Sequence, residues 1–303
     1  MNITIFCVRQ QRELTGDVPS DLTGFCGSFL NGTLYIFAGC DSSGYTNHMF
    51  TVDLRSECYV WIRITNTSGK TPSPRKNHSS WVHQDRIIYF GGYGCKTMRE
   101  VQNGDSSNFT VEDMCWGWNN EVYIFDTLTS TWILPQTKGL APVPRSCHAA
   151  AILENKGYIS GGVQTAQLQL YCLDLLTWTW TCLVNSGCSV PMGRTMHSMI
   201  ATLDGTLFVY GGSGTYTSDL ASVADDAWQY NLHTKEWTQM DHQHKDKPRV
   251  SHTSCLGNDS DIIVFGGCRS SILKTDPVSL RFLCTLKNSL QRQPFRKANI
   301  FHY

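Results

Sequence analysis

The chain has 303 residues, 41% hydrophobic and 11% aromatic, which is enough to bury a substantial core and excludes global disorder. Only 17% are charged, and 25 basic side chains balance 25 acidic ones, so no sequence-wide field would draw in nucleic acid or an anionic membrane. No window supplies the roughly eighteen uninterrupted apolar residues of a spanning helix. Met1-Asn2-Ile3-Thr4-Ile5-Phe6 has no basic region ahead of its apolar stretch, so the expectation is an unsecreted chain in the cytoplasm or nucleus. The 13 cysteines are odd in number and irregularly spaced, which predicts buried thiols, not a disulfide framework.

In chain order, Asn2 to Pro19 reads as an outermost strand and its exit turn, because Thr15-Gly16-Asp17-Val18-Pro19 parallels Thr67-Ser68-Gly69-Lys70-Thr71-Pro72. The run Leu34-Tyr35-Ile36-Phe37 then leads into Ala38-Gly39, and four further β runs end on Gly91-Gly92, Gly161-Gly162, Gly211-Gly212 and Gly266-Gly267. The second glycines lie 53, 70, 50 and 55 residues apart, close to a repeat of about fifty residues. Ahead of four pairs stands Arg-x-x-His: Arg75 and His78, Arg145 and His148, Arg194 and His197, Arg249 and His252. Behind the first four pairs come a strand, a turn and a tryptophan at Trp61, Trp132, Trp180 and Trp237. Each unit therefore predicts about four short strands, one blade of an all-β propeller whose blades cover each other radially. Glycines admit close backbone approach and tryptophans fill the space between sheets.

Double glycine, spaced aromatics and Arg-x-x-His together resemble the kelch family, over roughly residues 20 to 270. The expected fold is a kelch β-propeller with five recognisable repeats, five to six blades and an incomplete closure, spanning 1–277. First and last blades are expected to be partial, and 278–303 a tail. Whether this is an imperfect ring or a shortened chain stays open.

Residues that recur at one place in every repeat are explained by the repeat. The histidines are expected to satisfy backbone groups at inner-strand starts, and the arginines to bridge loops of neighbouring blades. His242-Gln243-His244 lacks a second ligand cluster at zinc spacing, and the glycine pairs lead into strand instead of a phosphate-binding helix. Asp225 and Asp226 are adjacent, so on a strand they point to opposite faces and make a poor acid–base pair. No cofactor, metal or catalytic residue is expected, although sialidases and copper oxidases keep a propeller enzyme as a third reading behind a receptor and a plain scaffold.

Loops after the second strand and before the first emerge on one face, which is where a partner should dock. Phe90-Gly91-Gly92-Tyr93-Gly94-Cys95, Trp116-Gly117-Trp118 and Trp178-Thr179-Trp180 resemble kelch members that serve as substrate receptors of cullin-RING ubiquitin ligases and read the C-terminal end of a target, notably Gly-Gly. That resemblance implies Tyr93 and Trp118 as an aromatic wall and Thr195 as a donor to the carboxylate. Val163 and Gln164 stand where the family carries a cationic clamp, and Met196 replaces a tryptophan. Without the two arginines, recognition of Gly-Gly by the family's mechanism is not expected. Ser279 to Cys284 resembles the start of an elongin-binding box, in which Leu280 and Cys284 would share a helical face and hold elongin B/C and, through them, a cullin.

Overall fold

The structure, a computed structural model, describes residues 13–95, 116–162, 166–214, 223–257 and 261–269, and the backbone of Ser279–Phe282. These residues form antiparallel sheets in sequence order. Blade I comprises Cys26–Leu30, Thr33–Asp41, Gly44–Asp53 and Tyr59–Ile64. Blade II comprises Ser79–His83, Arg86–Phe90, Val122–Asp126 and Thr131–Ile133. Blade III holds Ala149–Leu153, Lys156–Ser160, Leu170–Asp174 and Thr179–Leu183. Blade IV holds Ser198–Thr202, Thr206–Tyr210, Ala227–Asn231 and Glu236–Met240. Blade V has Val250–Leu256, Ile262–Cys268 and Ser279–Phe282.

Each interface between consecutive blades has its own apolar cluster. Cys26, Phe37 and Met49 meet Ile87, Tyr89 and Trp132 between blades I and II. Trp81, Ile88 and Phe90 meet Ile159, Leu173 and Trp180 between II and III. Ala151, Leu170 and Cys172 meet Met199, Val209 and Trp228 between III and IV, and Phe208 and Tyr210 meet Ile262 and Val264 between IV and V. Neighbouring residues of a strand point to opposite faces, so Ile87 and Ile88 enter different interfaces. Both faces of blade II are covered, which is why its second strand is buried from Ile87 to Phe90. Three of the repeat tryptophans, Trp132, Trp180 and Trp237, sit in these gaps as expected: Trp132 reaches Phe37 of blade I at 4.9 Å between ring centroids, and Trp180 reaches Phe90 of blade II at 5.1 Å.

A strap ahead of blades I, II and III runs parallel to the outermost strand of each. Leu14–Gly16 pairs with Tyr59 to Trp61, Ser68 bridges to Thr131, and Lys138–Gly139 pairs with Thr179 and Trp180. The 14–16 segment thus occupies the exit-turn place that its likeness to 67–72 predicts, while residues 1–12 lie outside the described residues.

Two expectations need correction. The boundary placed at 277 falls inside a sheet, because Ser279–Phe282 pairs with the second strand of blade V, Val264 opposite Leu280. Leu280 therefore belongs to a strand and not to a helix, and its backbone is engaged by the sheet; Cys284 lies outside the described residues. The segment Ser279–Phe282 satisfies main-chain groups by adding to a sheet edge. Cys26, Cys172 and Cys268 are buried thiols as expected, whereas Cys58 and Cys188 are exposed on bends.

The joint between blades is built from the glycine pairs. The second glycine donates its N–H to the arginine carbonyl of the next blade: Gly92 to Arg145 at 2.9 Å, Gly162 to Arg194 at 3.1 Å, Gly212 to Arg249 at 2.8 Å. The first glycine faces the same carbonyl so closely that a Cβ on Gly161 would lie 2.2 Å from Arg194 O. In blade V that position is open. A Cβ on Gly266 would meet nothing within 4 Å, and neighbouring Phe265 is 40% exposed. Among the described residues the inner strands of blades I and V do not pack together as consecutive ones do.

Gly161 and Gly266 both hold positive φ, +64° and +71°, so alanine is strained at either, but only Gly161 also meets a neighbouring blade. Gly161→Ala is expected to destabilise by about 3 kcal/mol, left-handed strain plus overpacking, and Gly266→Ala by about 1 kcal/mol from strain alone. Urea unfolding followed by tryptophan fluorescence checks the ordering; equal losses would mean that the glycine pair acts through backbone conformation and not through the joint.

Candidate functional site

The four Arg-x-x-His motifs line up around the axis. Each guanidinium donates to the first-glycine carbonyl of its own blade: Arg75 to Gly91 O at 3.0 Å, Arg145 to Gly161 O at 2.9 Å, Arg194 to Gly211 O at 3.0 Å and Arg249 to Gly266 O at 2.7 Å. The carbonyls of Arg145, Arg194 and Arg249 also receive the second-glycine N–H of the preceding blade, so these residues do bridge blades, through side chain on one side and main chain on the other. The histidine imidazoles reach back one blade, His148 to Ser79 at 2.7 Å, His197 to Ser160 at 2.8 Å and His252 to Ser198 at 2.9 Å. Burial pushes His197 well below its ordinary value and His252 to about 4. These rings are neutral struts between sheets, and their roles are used up by the fold.

The residue before each histidine forms an axial chain. Asn77 N donates to Gly24 O, Cys147 N to Asn77 O, Met196 N to Cys147 O and Ser251 N to Met196 O, at 2.7 to 3.0 Å. All four donors sit at φ of 54° to 57°, the left-handed region, held there by these bonds. Their side chains ring the mouth of a central channel of about 860 Å³ lined by inner strands, among them Phe29, Trp81, Ile152 and Met199.

Beside this mouth the chain before blade II and the loop strands after its glycine pair make a small three-stranded sheet: Arg75–Lys76, Tyr93–Cys95 and Trp116–Trp118. Lys76, Tyr93 and Trp118 stand opposite each other across it, as do Arg75, Gly94 and Gly117. Cross-strand partners share a face, so one face carries Lys76, Tyr93, Trp118 and, two residues along, Trp116. The other face carries buried Arg75, whose guanidinium also reaches Glu121 at 3.4 Å. Tyr45, from the third strand of blade I, packs on this display with ring centroids 4.7 Å from Trp116 and 6.1 Å from Tyr93. The Lys76 ammonium lies 5.2 Å from the centre of the Tyr45 ring. Trp116 and Trp118 remain 42% and 52% exposed, a large apolar investment left to water beside a cation.

Of the residues singled out in the sequence, Tyr93 and Trp118 are brought together directly. Thr195 and Met196 occupy in blade IV the stations that Lys76 and Asn77 occupy in blade II; Thr195 pairs with Ser213, and Met196 is 42% exposed at the channel mouth. Val163 and Gln164 lie outside the described residues. Sequence reasoning missed Lys76, Tyr45 and Trp116 as site residues. Lys76 carried a signal, being the only charged residue at the position after the motif arginine, where the other blades have Ser146, Thr195 and Val250. Tyr45 carried none, since its contact crosses from one blade to the next.

This fold and this loop face define a kelch-repeat β-propeller. The KLHDC2/KLHL20/DRC7 Kelch-repeats domain profile matches residues 7–212 and 112–267, and the chain belongs to that family. It is 42% identical to human Kelch domain-containing protein 1 over 272 residues, covering 87% of this chain and 66% of that protein. With human Kelch domain-containing protein 2 it shares 38% over 264 residues, covering 85% of this chain and 64% of the relative. The chain thus spans just under two thirds of the length of these relatives. Among solved structures, the one titled "Structure of YjhT" superposes with a TM-score of 0.63 over 86% of this chain and 81% of its own, at 17% identity, a likeness of fold alone.

The buried histidines predict an acid limit. His252 has a folded value of about 4 against the ordinary 6.5, so its contribution is complete above pH 6.5 and is lost as pH falls towards 4. Lowering the pH from 7.5 to 5 is expected to remove about 2 kcal/mol through this residue alone. Urea midpoints at the two pH values measure it, and His252→Gln should flatten the dependence; an unchanged slope in that variant would assign the acid limit to other groups.

Proposed function

We propose that this chain is a non-enzymatic, protein-binding propeller whose loop face takes the C-terminal segment of a partner protein. The reading is carried by the display of Lys76, Tyr93, Trp116 and Trp118 beside an axial channel. Exposed tryptophan and tyrosine rings supply contact area at small entropic cost, and a neighbouring cation gives an extended chain a direction. The recurring polar groups that tempt an enzymatic reading are spent on the joints between blades. That leaves the variable loop positions to recognise a partner.

The finer proposal is a substrate-recognition subunit of a cullin-RING ubiquitin ligase working in the cytoplasm, and it rests on the kelch resemblance. A kelch scaffold without a ligase is the second reading, favoured by the strand at Ser279–Phe282. That strand engages Leu280 in blade V where an elongin-binding helix was expected. Reconstitution from purified components separates the two: the receptor reading expects the folded chain to co-elute with elongin B/C and cullin on size exclusion. Separate elution of a chain with an intact thermal melt removes the ligase and leaves the scaffold. Under either reading Trp118→Ala should weaken capture of a C-terminal peptide by about thirtyfold, the effect of losing an interface anchor worth about 2 kcal/mol, with stability unchanged.

A further inference from the structure

This inference rests on the peptide-end reading above and names the group that would meet the terminus. The position after each motif arginine is the same station in four blades, occupied by Lys76, Ser146, Thr195 and Val250. Ser146 and Val250 are buried, 8% and 5% exposed, which leaves Lys76 and Thr195 as the more accessible of the four. Lys76 alone is charged. Its neighbour Asn77 belongs to the axial chain, and its backbone pairs with Tyr93, so its stem is fixed between the channel mouth and the aromatic display.

Three observations point to an anionic ligand at this spot. The Lys76 ammonium is held over the Tyr45 ring, which orients the charge without neutralising it. No carboxylate pairs with it among the described residues, in contrast to Arg75 one position before, which has Glu121. Its field also reaches the axis, where it opposes the upward push of burial on the Cys147 thiol. A cation that is positioned, has no carboxylate partner among the described residues and is flanked by exposed aromatic rings suits a carboxylate whose attached chain lies along those rings.

We propose that Lys76 is the cation that receives the terminal carboxylate of a bound peptide, with the preceding side chains stacked on Tyr93, Trp116 and Trp118. It is a specificity-determining residue of a site whose family arginines are absent at Val163 to Gln167. The carboxylate then sits against blade II and not against the third glycine-pair loop. Termini bearing bulky or aromatic residues fit as well as Gly-Gly, because the stacking surface is open.

Random decamers lacking Asp and Glu, immobilised through their N-termini, test this on three arrays: free C-terminal acids, C-terminal amides, and amides with one internal glutamate. The chain as given is expected to bind the acid array about tenfold more strongly than the amides, and the preference to fade between 50 and 500 mM salt. Lys76→Met should erase the preference, Lys76→Arg should keep it, and both should melt with the parent. Retention of the preference by a folded Lys76→Met overturns the assignment to Lys76 and leaves a C-terminal peptide site standing. Equal binding of glutamate-bearing amides overturns the terminus as the source of the carboxylate. Capture that ignores the chain end removes the carboxylate site and leaves protein binding. No capture on any array by the folded chain removes the peptide-end reading and this assignment together.

Discussion

The hydrogen bond from the second glycine of one blade to the arginine carbonyl of the next is the contact on which the rest of the structure depends. It brings two main chains together at 2.8 to 3.1 Å, which is possible because the glycine pair has no side chain in the gap. Everything nearby serves that approach. The guanidinium turns back to the first-glycine carbonyl, the imidazole reaches the preceding blade's serine, and the next residue inward continues the axial chain. A buried polar group left without a partner would cost a few kcal/mol, and here the motif supplies partners in a repeating order. Blade V, which has no successor among the described residues, leaves Gly266 without a neighbouring carbonyl and Phe265 reaching solvent.

Such a joint divides the labour of the loop face. Arginine and histidine of each motif are committed to holding blades, so they recur. The two residues between them hold blades only through their main chain, so their side chains vary: Lys-Asn, Ser-Cys, Thr-Met and Val-Ser. Recognition is therefore written in the variable letters of a constant motif. In blade II these letters combine with a glycine-pair loop that folds into its own small sheet, and glycines at Gly94 and Gly117 leave room for Arg75 on one side while tyrosine and tryptophan stand on the other. Scaffold and docking face are thus two sides of the same three strands.

Much of this was legible in the residues themselves. Five β runs ending on glycine, the phased arginine, histidine and tryptophan, and the likeness of 15–19 to 67–72 pointed to blades and straps, because each reports a local interaction repeated at constant spacing. The tail was misread for a physical reason. A leucine and a cysteine four apart suit one face of a helix, but they also suit one face of a strand, since four is a multiple of two. The choice fell to the edge of blade V, where Ile262 to Phe265 pair with Ser279–Phe282. The site was half legible: Tyr93 and Trp118 lie close to a glycine pair in a recognisable motif, whereas Tyr45 comes from the blade before.

By itself the sequence determined the strands, the glycine-pair joints and the residues spent on them, since those depend on backbone conformation and contacts that recur with the repeat. Only the tertiary structure decided which face of each strand meets a neighbour, that no described blade covers the outer side of Gly266 in blade V, and that Lys76, Tyr45 and two tryptophans converge beside the axis. Those outcomes depend on the packing of sheets about fifty residues apart, a distance over which local pattern carries no register.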